Sequence, residues 1–243
     1  MSIAFPGGKR KCLTFSYDDG VRQDIKLIEI FKKYGMKATF NLNSGNLGTV
    51  GRINHMGFDV CFDKMKPEEV KDLYRQEDGF EVAVHGSKHR NFPTLEDDEE
   101  LSEEIGDDKK RLEELSGQKI IGAAYPCGVY DVTMPEKLGR FGISYCRTIN
   151  DTHSFAIPDN FVFWHPTCHD NYEYIFDLAR DFIAYDGDEP ALFYIWGHSF
   201  ELDKNDRDRW GNIRRICKLL SGRDDVWYAT NGEVYSHFAN QVK

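Results

Sequence analysis

Apolar residues recur along the chain in short alternating or continuous runs, and each run is followed by a helical spacing of apolar positions. This rhythm predicts strands over 11–17, 37–42, 80–84, 119–124, 143–148, 161–164, 191–196 and 226–229. Between them it predicts helices over 24–34, 67–76, 134–141, 172–185 and 206–220. Ile25, Leu27, Ile28, Ile30 and Phe31 carry the first helix, and Gly35 stops it. Residues 94–117 form a strongly acidic helical segment, whose charge run reads as a solvated face. Thr230-Asn231-Gly232-Glu233 is a capping box that opens a terminal helix. Residues 43–63, rich in Gly and Asn, read as a long loop, a length usually reserved for function. Strand–helix alternation without a second compositional core predicts a parallel α/β fold, best fitted by a distorted (β/α) barrel spanning 1–243 as one catalytic domain.

Composition narrows the function. The 243 residues carry 31 basic and 41 acidic side chains, a net charge of −10, which argues against binding through nucleic-acid phosphates or a polybasic membrane contact. Hydrophobic residues at 40% supply a large core. No apolar stretch reaches the length of a membrane span, and the opening MSIAFPGGKRKCLTF lacks the apolar region of a secretory signal, so a cytoplasmic protein is expected. The six cysteines form no Cys-x-x-Cys pair and read as reduced thiols. Neither a GxGxxG nor a GxxxxGK[ST] pattern occurs, so no nucleotide-phosphate cradle is expected.

Four polar clusters each follow a predicted strand: Asp18-Asp19-Gly20, His85-Gly86-Ser87-Lys88-His89, Tyr125-Pro126-Cys127-Gly128, and His198. In parallel α/β folds the strand C-terminal ends share one face, so these remote segments are expected to converge. A His-x-x-x-His pair sets two imidazoles on one side of a helical turn, and with one carboxylate it makes an open three-ligand metal site. A second carboxylate and a third His are then left over for proton transfer. His165, Cys168 and His169 form a competing ligand-rich stretch, read here as substrate-lining. His55, His153 and His237 carry no pattern.

TFSYDDG, HGSKH, AYPCG and YIWGHS, in this order and spacing, resemble the NodB-homology polysaccharide deacetylases, carbohydrate esterase family 4, over nearly the whole chain. The resemblance implies a distorted (β/α)7 barrel and metal-dependent removal of acetyl groups from an N-acetylated or O-acetylated carbohydrate. It assigns the general base to Asp18, the metal ligands to Asp19, His85 and His89, and the general acid to His198. It implies an oxyanion contact from the Cys127 backbone N–H. Tyr125, Trp164 and Trp196 are the candidate substrate-pocket walls. The ligand set implies one divalent ion, zinc first, with cobalt, nickel or iron accommodated by the same donors. The substrate is expected to be an acetylated saccharide or related small amide, with no nucleic-acid or membrane partner. An intracellular setting would favour an N-acetyl sugar over a cell-wall polymer.

Several positions depart from the pattern: the histidine motif reads His85-Gly86-Ser87 rather than starting His-Ser/Thr, Cys127 replaces an aromatic, the stretch 148–164 does not match the family's fourth motif, and the family's usual Arg aligns with Ala124. Arg147, at the end of the next predicted strand, is the nearest candidate to supply that charge to Asp18. The oligomeric state is not written in the sequence. Two rival functions share these residues. One is a C–N hydrolase of the same fold acting on a non-sugar amide such as a cyclic ureide. The other is a metal- and sugar-binding protein without turnover.

Overall fold

A computed structural model describes residues 4–240. Its sheet is built on β1 (Lys11–Asp18), whose eight residues are all buried. On one side of β1 lie β2 (Ala38–Leu42), β5 (Phe80–Val84), β6 (Gly122–Ala124) and β7 (Tyr145–Arg147), in that order. On the other side lie β9 (Ala191–Gly197) and β8 (Cys168–His169). All these pairings are parallel. β10 (Val226–Tyr228) pairs with Lys11, Cys12 and Leu13, ahead of the β2 pairing that starts at Phe15, so two strands share one edge of β1 in succession. A single segment reaches both ends of the sheet. Trp164 donates to Cys146 O and accepts from Thr148 N on the β7 side, while Thr167 and Asp170 donate to Tyr194 and Trp196 of β9. The product is a distorted (β/α)7 barrel, the fold that the family resemblance implies.

The helices α1 (Asp24–Tyr34), α4 (Asp107–Ser116), α6 (Ile175–Ala184) and α7 (Arg209–Leu220) pack apolar faces on the sheet and join one continuous core. α5 (Met134–Gly139) buries Met134 and Leu138 in the same core. α8 (Asn231–Ala239) starts at the expected capping box, with Thr230 Oγ1 and Glu233 each bonding the other's backbone.

Four expectations need correcting. Residues 161–164 are not a strand: Asn160 accepts from Val162 N and opens a 3-10 turn, leaving only Trp164 bridged to Arg147, and the paired strand is β8. Residues 43–63 are not all loop but contain the antiparallel hairpin β3 (Arg52–His55) and β4 (Phe58–Cys61). Its Met56-Gly57 turn has φ of 53° and 86°, the mirror-image turn that matches strand twist. In the 67–76 stretch only α2 (Val70–Leu73) is α-helical, preceded by a 3-10 turn at Pro67–Glu69. The acidic segment starts at α3 (Asp98–Leu101) and passes through a π-turn at Ser102–Gly106 before α4. That extra residue per turn swings Glu104 inward, where it is 1% exposed rather than solvated.

Candidate active site

The end of β1 presents both aspartates. Asp18 is the last strand residue; Asp19 leaves the sheet at φ 81°, a left-handed value that side chains rarely adopt. Asp19 N–H donates to Asn41 O at 2.9 Å, and Gly20 follows where a Cβ would lie 2.9 Å from Leu42. The turn therefore aims two adjacent carboxylates in different directions.

Asp18 is 2% exposed and fully engaged. Its Oδ1 accepts from Asn41 Nδ2 at 2.8 Å, and its Oδ2 accepts from the Arg147 guanidinium. Nε2 of His198 and of His85 stand 3.6 and 3.8 Å from Oδ2. Burial pushes this carboxyl up, but Arg147, His85 and His198 outweigh it and hold it well below the usual carboxylate range. Arg147 is the β7 register partner of Ala124, so the positive charge missing from β6 arrives from the adjacent strand. Its guanidinium is 0% exposed and lies 4.6 Å from the Trp196 ring centroid.

The His-x-x-x-His segment is a loop, not the helical turn expected, with left-handed φ at Gly86 and His89. Glu104 holds it by accepting from Lys88 N at 3.1 Å and Arg90 N at 3.3 Å, and Asn43 Nδ2 donates to the carbonyls of His85 and Gly86. His85 Nδ1 lies 2.9 Å from Ala124 O. A carbonyl only accepts, so Nδ1 carries the hydrogen and Nε2 keeps its lone pair. That atom stands 3.1 Å from His89 Nε2, and burial keeps His85 neutral by pushing its pKa down to about 4. One ligand atom each of Asp19, His85 and His89 lies within 4.8 Å of the others. Two unprotonated or displaceable imidazole nitrogens beside a carboxylate are a donor set that fits a zinc-type ion.

A second His-rich group stands next to it. His198 Nδ1 faces Glu201 Oε1 at 3.3 Å, and His169 Nε2 faces Glu201 Oε2 at 3.9 Å. His169 Nδ1 lies 3.1 Å from both Asn171 N and Asp170 Oδ1, and one ligand atom each of His169, His198 and Glu201 lies within 4.8 Å of the others, a second candidate donor group beside the first. Burial pushes the His198 pKa down, but Glu201, Asp18 and Asp19 raise it above the ordinary value. Glu201 is itself held well below the usual range: burial opposes this, and His198, His169 and Lys204 outweigh it.

Asp18, Asp19, His85, His89 and His198 line one cavity of about 400 Å³, whose apolar walls are Ile53, Phe62, Ile149, Trp196 and Phe200. A larger hollow of about 700 Å³, around Asp72, Arg75 and Gln118, holds none of the strand-end clusters. Of the expected wall residues, Tyr125, Cys127 and Trp196 line the cavity. Trp164 does not: it is 1% exposed and packs against Tyr145, Phe161 and Tyr194. His165, Cys168 and His169 do not converge: His165 bonds Thr148 Oγ1, Cys168 is in the core and His169 stacks edge-on to Trp196.

Sequence reasoning missed Asn41, His55, Lys64, Glu104 and Glu201. His55, brought by the hairpin, lines the cavity 3.6 Å from Glu201. The His-x-x-Glu spacing of His198 and Glu201 was a readable signal; the others depend on long-range register.

Paired strand-end aspartates, a two-histidine loop and a late histidine thus converge at the strand ends of a parallel barrel. The family model for polysaccharide deacetylase matches residues 6–146, and the chain belongs to that family. Among solved structures it is similar to a candidate polysaccharide deacetylase from Mycobacterium smegmatis, with 18% identity and TM-score 0.70 over 99% of this chain and 94% of that one. A candidate polysaccharide deacetylase from Pseudomonas aeruginosa PAO1 gives 14% and 0.71 over 99% and 95%. Puue allantoinase gives 13% and 0.69 over 99% and 94%. At these identities the likeness is one of fold. A search of curated proteins finds no match to the sequence. Among the described residues no helix is long and apolar enough to cross a membrane.

Proposed function

We propose that this chain removes acetyl groups from an N-acetylated carbohydrate, with Asp18 as general base, His198 as general acid and a divalent ion held by Asp19, His85 and His89. One observation carries the reading: Asp18 Oδ2 is flanked by Arg147, His85 and His198, and the three candidate ligands adjoin it in the same cavity. When bound, such an ion polarises the acetyl carbonyl and acidifies water.

The remaining work falls to the chain. Arg147 and Asn41 hold one oxygen of Asp18 each, so the carboxylate stays charged and fixed to accept a proton from the attacking water. Once His198 has given its proton to the departing amine, the weakly held proton on Asp18 can pass to the vacated His198 Nε2, 3.6 Å away. Glu201 opposes Nδ1 of His198 and favours the protonated ring, the form that can donate to the departing amine. Opposite shifts on base and acid sort the two roles. Cleavage of the amide C–N bond then yields acetate and the free amine. The Cys127 backbone, at φ 54° on the cavity edge, is the candidate oxyanion contact. The cavity falls in the range of small-ligand clefts, roughly 300–1,000 Å³.

The test is acetate release from N-acetylated saccharides after loading with zinc, cobalt, nickel or iron, with cyclic amides assayed in parallel. The proposal expects acetate from a saccharide, abolished by a chelator, by Asp18→Asn and by His198→Ala. Ring opening of cyclic amides without acetate release would instead make the chain another C–N hydrolase. Sugar affinity without turnover under any metal would make it a binding protein.

A further inference from the structure

The cavity contains a cation that no motif announces. Lys64 follows the β3–β4 hairpin, where its backbone bridges Val21 and its N–H donates to Thr49 O at 2.9 Å, so the residue is pinned at the main chain. Its side chain is 4% exposed, with Nζ 4.0 Å from the centroid of the Phe62 ring. The ammonium donates to the backbone O of Asp19 at 2.8 Å and meets Asp19 Oδ1 at 3.1 Å. A buried lysine thus grips the one carboxylate among the three candidate metal ligands, at a residue whose left-handed backbone already makes it a special position.

Building on the metal reading of Asp19, His85 and His89, we propose that Lys64 is a built-in counter-ion that weakens, and thereby sets, the affinity of that site for divalent cations. Two effects of opposite sign compete. A group that bonds a ligand carboxylate orients it, and losing such a partner ordinarily costs a metal site affinity. Any polar donor can supply that orientation. Lys64 also brings a full positive charge, fixed within hydrogen-bond distance of a ligand atom and screened from water. Like charges a few ångströms apart repel far more strongly there than in bulk solvent. It also takes one of Asp19's two oxygens and neutralises part of the charge that would attract the ion. The repulsion is the larger effect because the lysine is buried beside the site rather than reaching it from solvent. The imidazoles of His85 and His89 are left as the dominant donors, and imidazole suits borderline ions such as zinc.

Substituting the charge while keeping a donor separates the two effects. Zinc affinity would be measured by chelator competition for wild type, Lys64→Gln, Lys64→Met and Asp19→Asn, with far-UV circular dichroism to check folding. Lys64→Gln should bind zinc at least about tenfold tighter than wild type, while Asp19→Asn binds more weakly. Should Lys64→Gln not fold, Lys64→Met carries the same expectation of tighter binding. Equal or weaker zinc binding by a folded Lys64 variant would overturn the inference and make the lysine an orienting partner, with the metal reading intact. Zinc bound by neither wild type nor variants would overturn the metal reading and this inference together.

Discussion

Replacing Arg147 with Ala probes the feature in which this chain departs most from its family pattern. Arg147 and Asp18 are 0% and 2% exposed, so the substitution strands a buried carboxylate. Breaking a buried pair from one side costs about 3–5 kcal/mol. The guanidinium also stacks on Trp196 at 4.6 Å, a desolvated contact adding about 1–2 kcal/mol. Against a total stability of about 5–15 kcal/mol, the variant should be markedly less resistant to urea. The chemical consequence has a definite sign. Burial pushes Asp18 up and Arg147 is the first group holding it down, so its pKa must rise. If about 3 kcal/mol of the lost interaction is expressed in ionisation, the shift is about two pH units. The acidic limb of kcat/KM should therefore move up from its low starting point toward the ordinary carboxylate range of about 4, with the difference from wild type opening only on the acid side of that range. The sheet register supplies the control. Ala124 and Arg147 are partners across β6 and β7, and paired residues of neighbouring strands project to the same face. Ala124→Arg combined with Arg147→Ala should return the limb toward its original position. An acidic limb unmoved in the single variant, or unrescued in the double, refutes the claim that this charge tunes Asp18.

Two further outcomes are expected. Glu104→Ala removes the acceptor of the Lys88 and Arg90 amides and should cost about 1–3 kcal/mol for each donor left unsatisfied; loosening the His85–His89 loop should also lower zinc affinity by about 10–100-fold, whereas Glu104→Gln retains most of both. Asp24, which accepts from Tyr74 and Ser199, is pushed by burial up to about 7. The folded chain then keeps a proton that the unfolded chain releases near the ordinary carboxylate value, so stability from this group falls as pH rises through that window and levels off near 7. Urea unfolding at pH 5 and pH 8 should show a drop that shrinks by about 3 kcal/mol in Asp24→Asn; Asp108, also raised to about 7, leaves some slope in place.

What was legible in the sequence follows from where specification is local. β1, β2, β5 and β9 are buried along their whole length, and such strands show as continuous apolar runs. α1 was bounded because Gly35 takes the left-handed cap that only the local chain demands. β8 has two residues and exists because the barrel needs a partner for β9, so no pattern of its own could reveal it. Glu104 stood in a run of identical charges, and only the π-turn decides which of them faces inward. Lys64 and Asn41 reach the aspartates through pairings that the linear chain does not encode locally. Arg147 marks the boundary between the two kinds of information. A motif that demands arginine at one strand end finds Ala124 and reports a defect. The physical requirement is a guanidinium within reach of Asp18, and in-register parallel strands bring 124 and 147 side by side. Reading charges by their layer in the barrel, rather than by motif position, therefore recovers the residue that position alone declares missing.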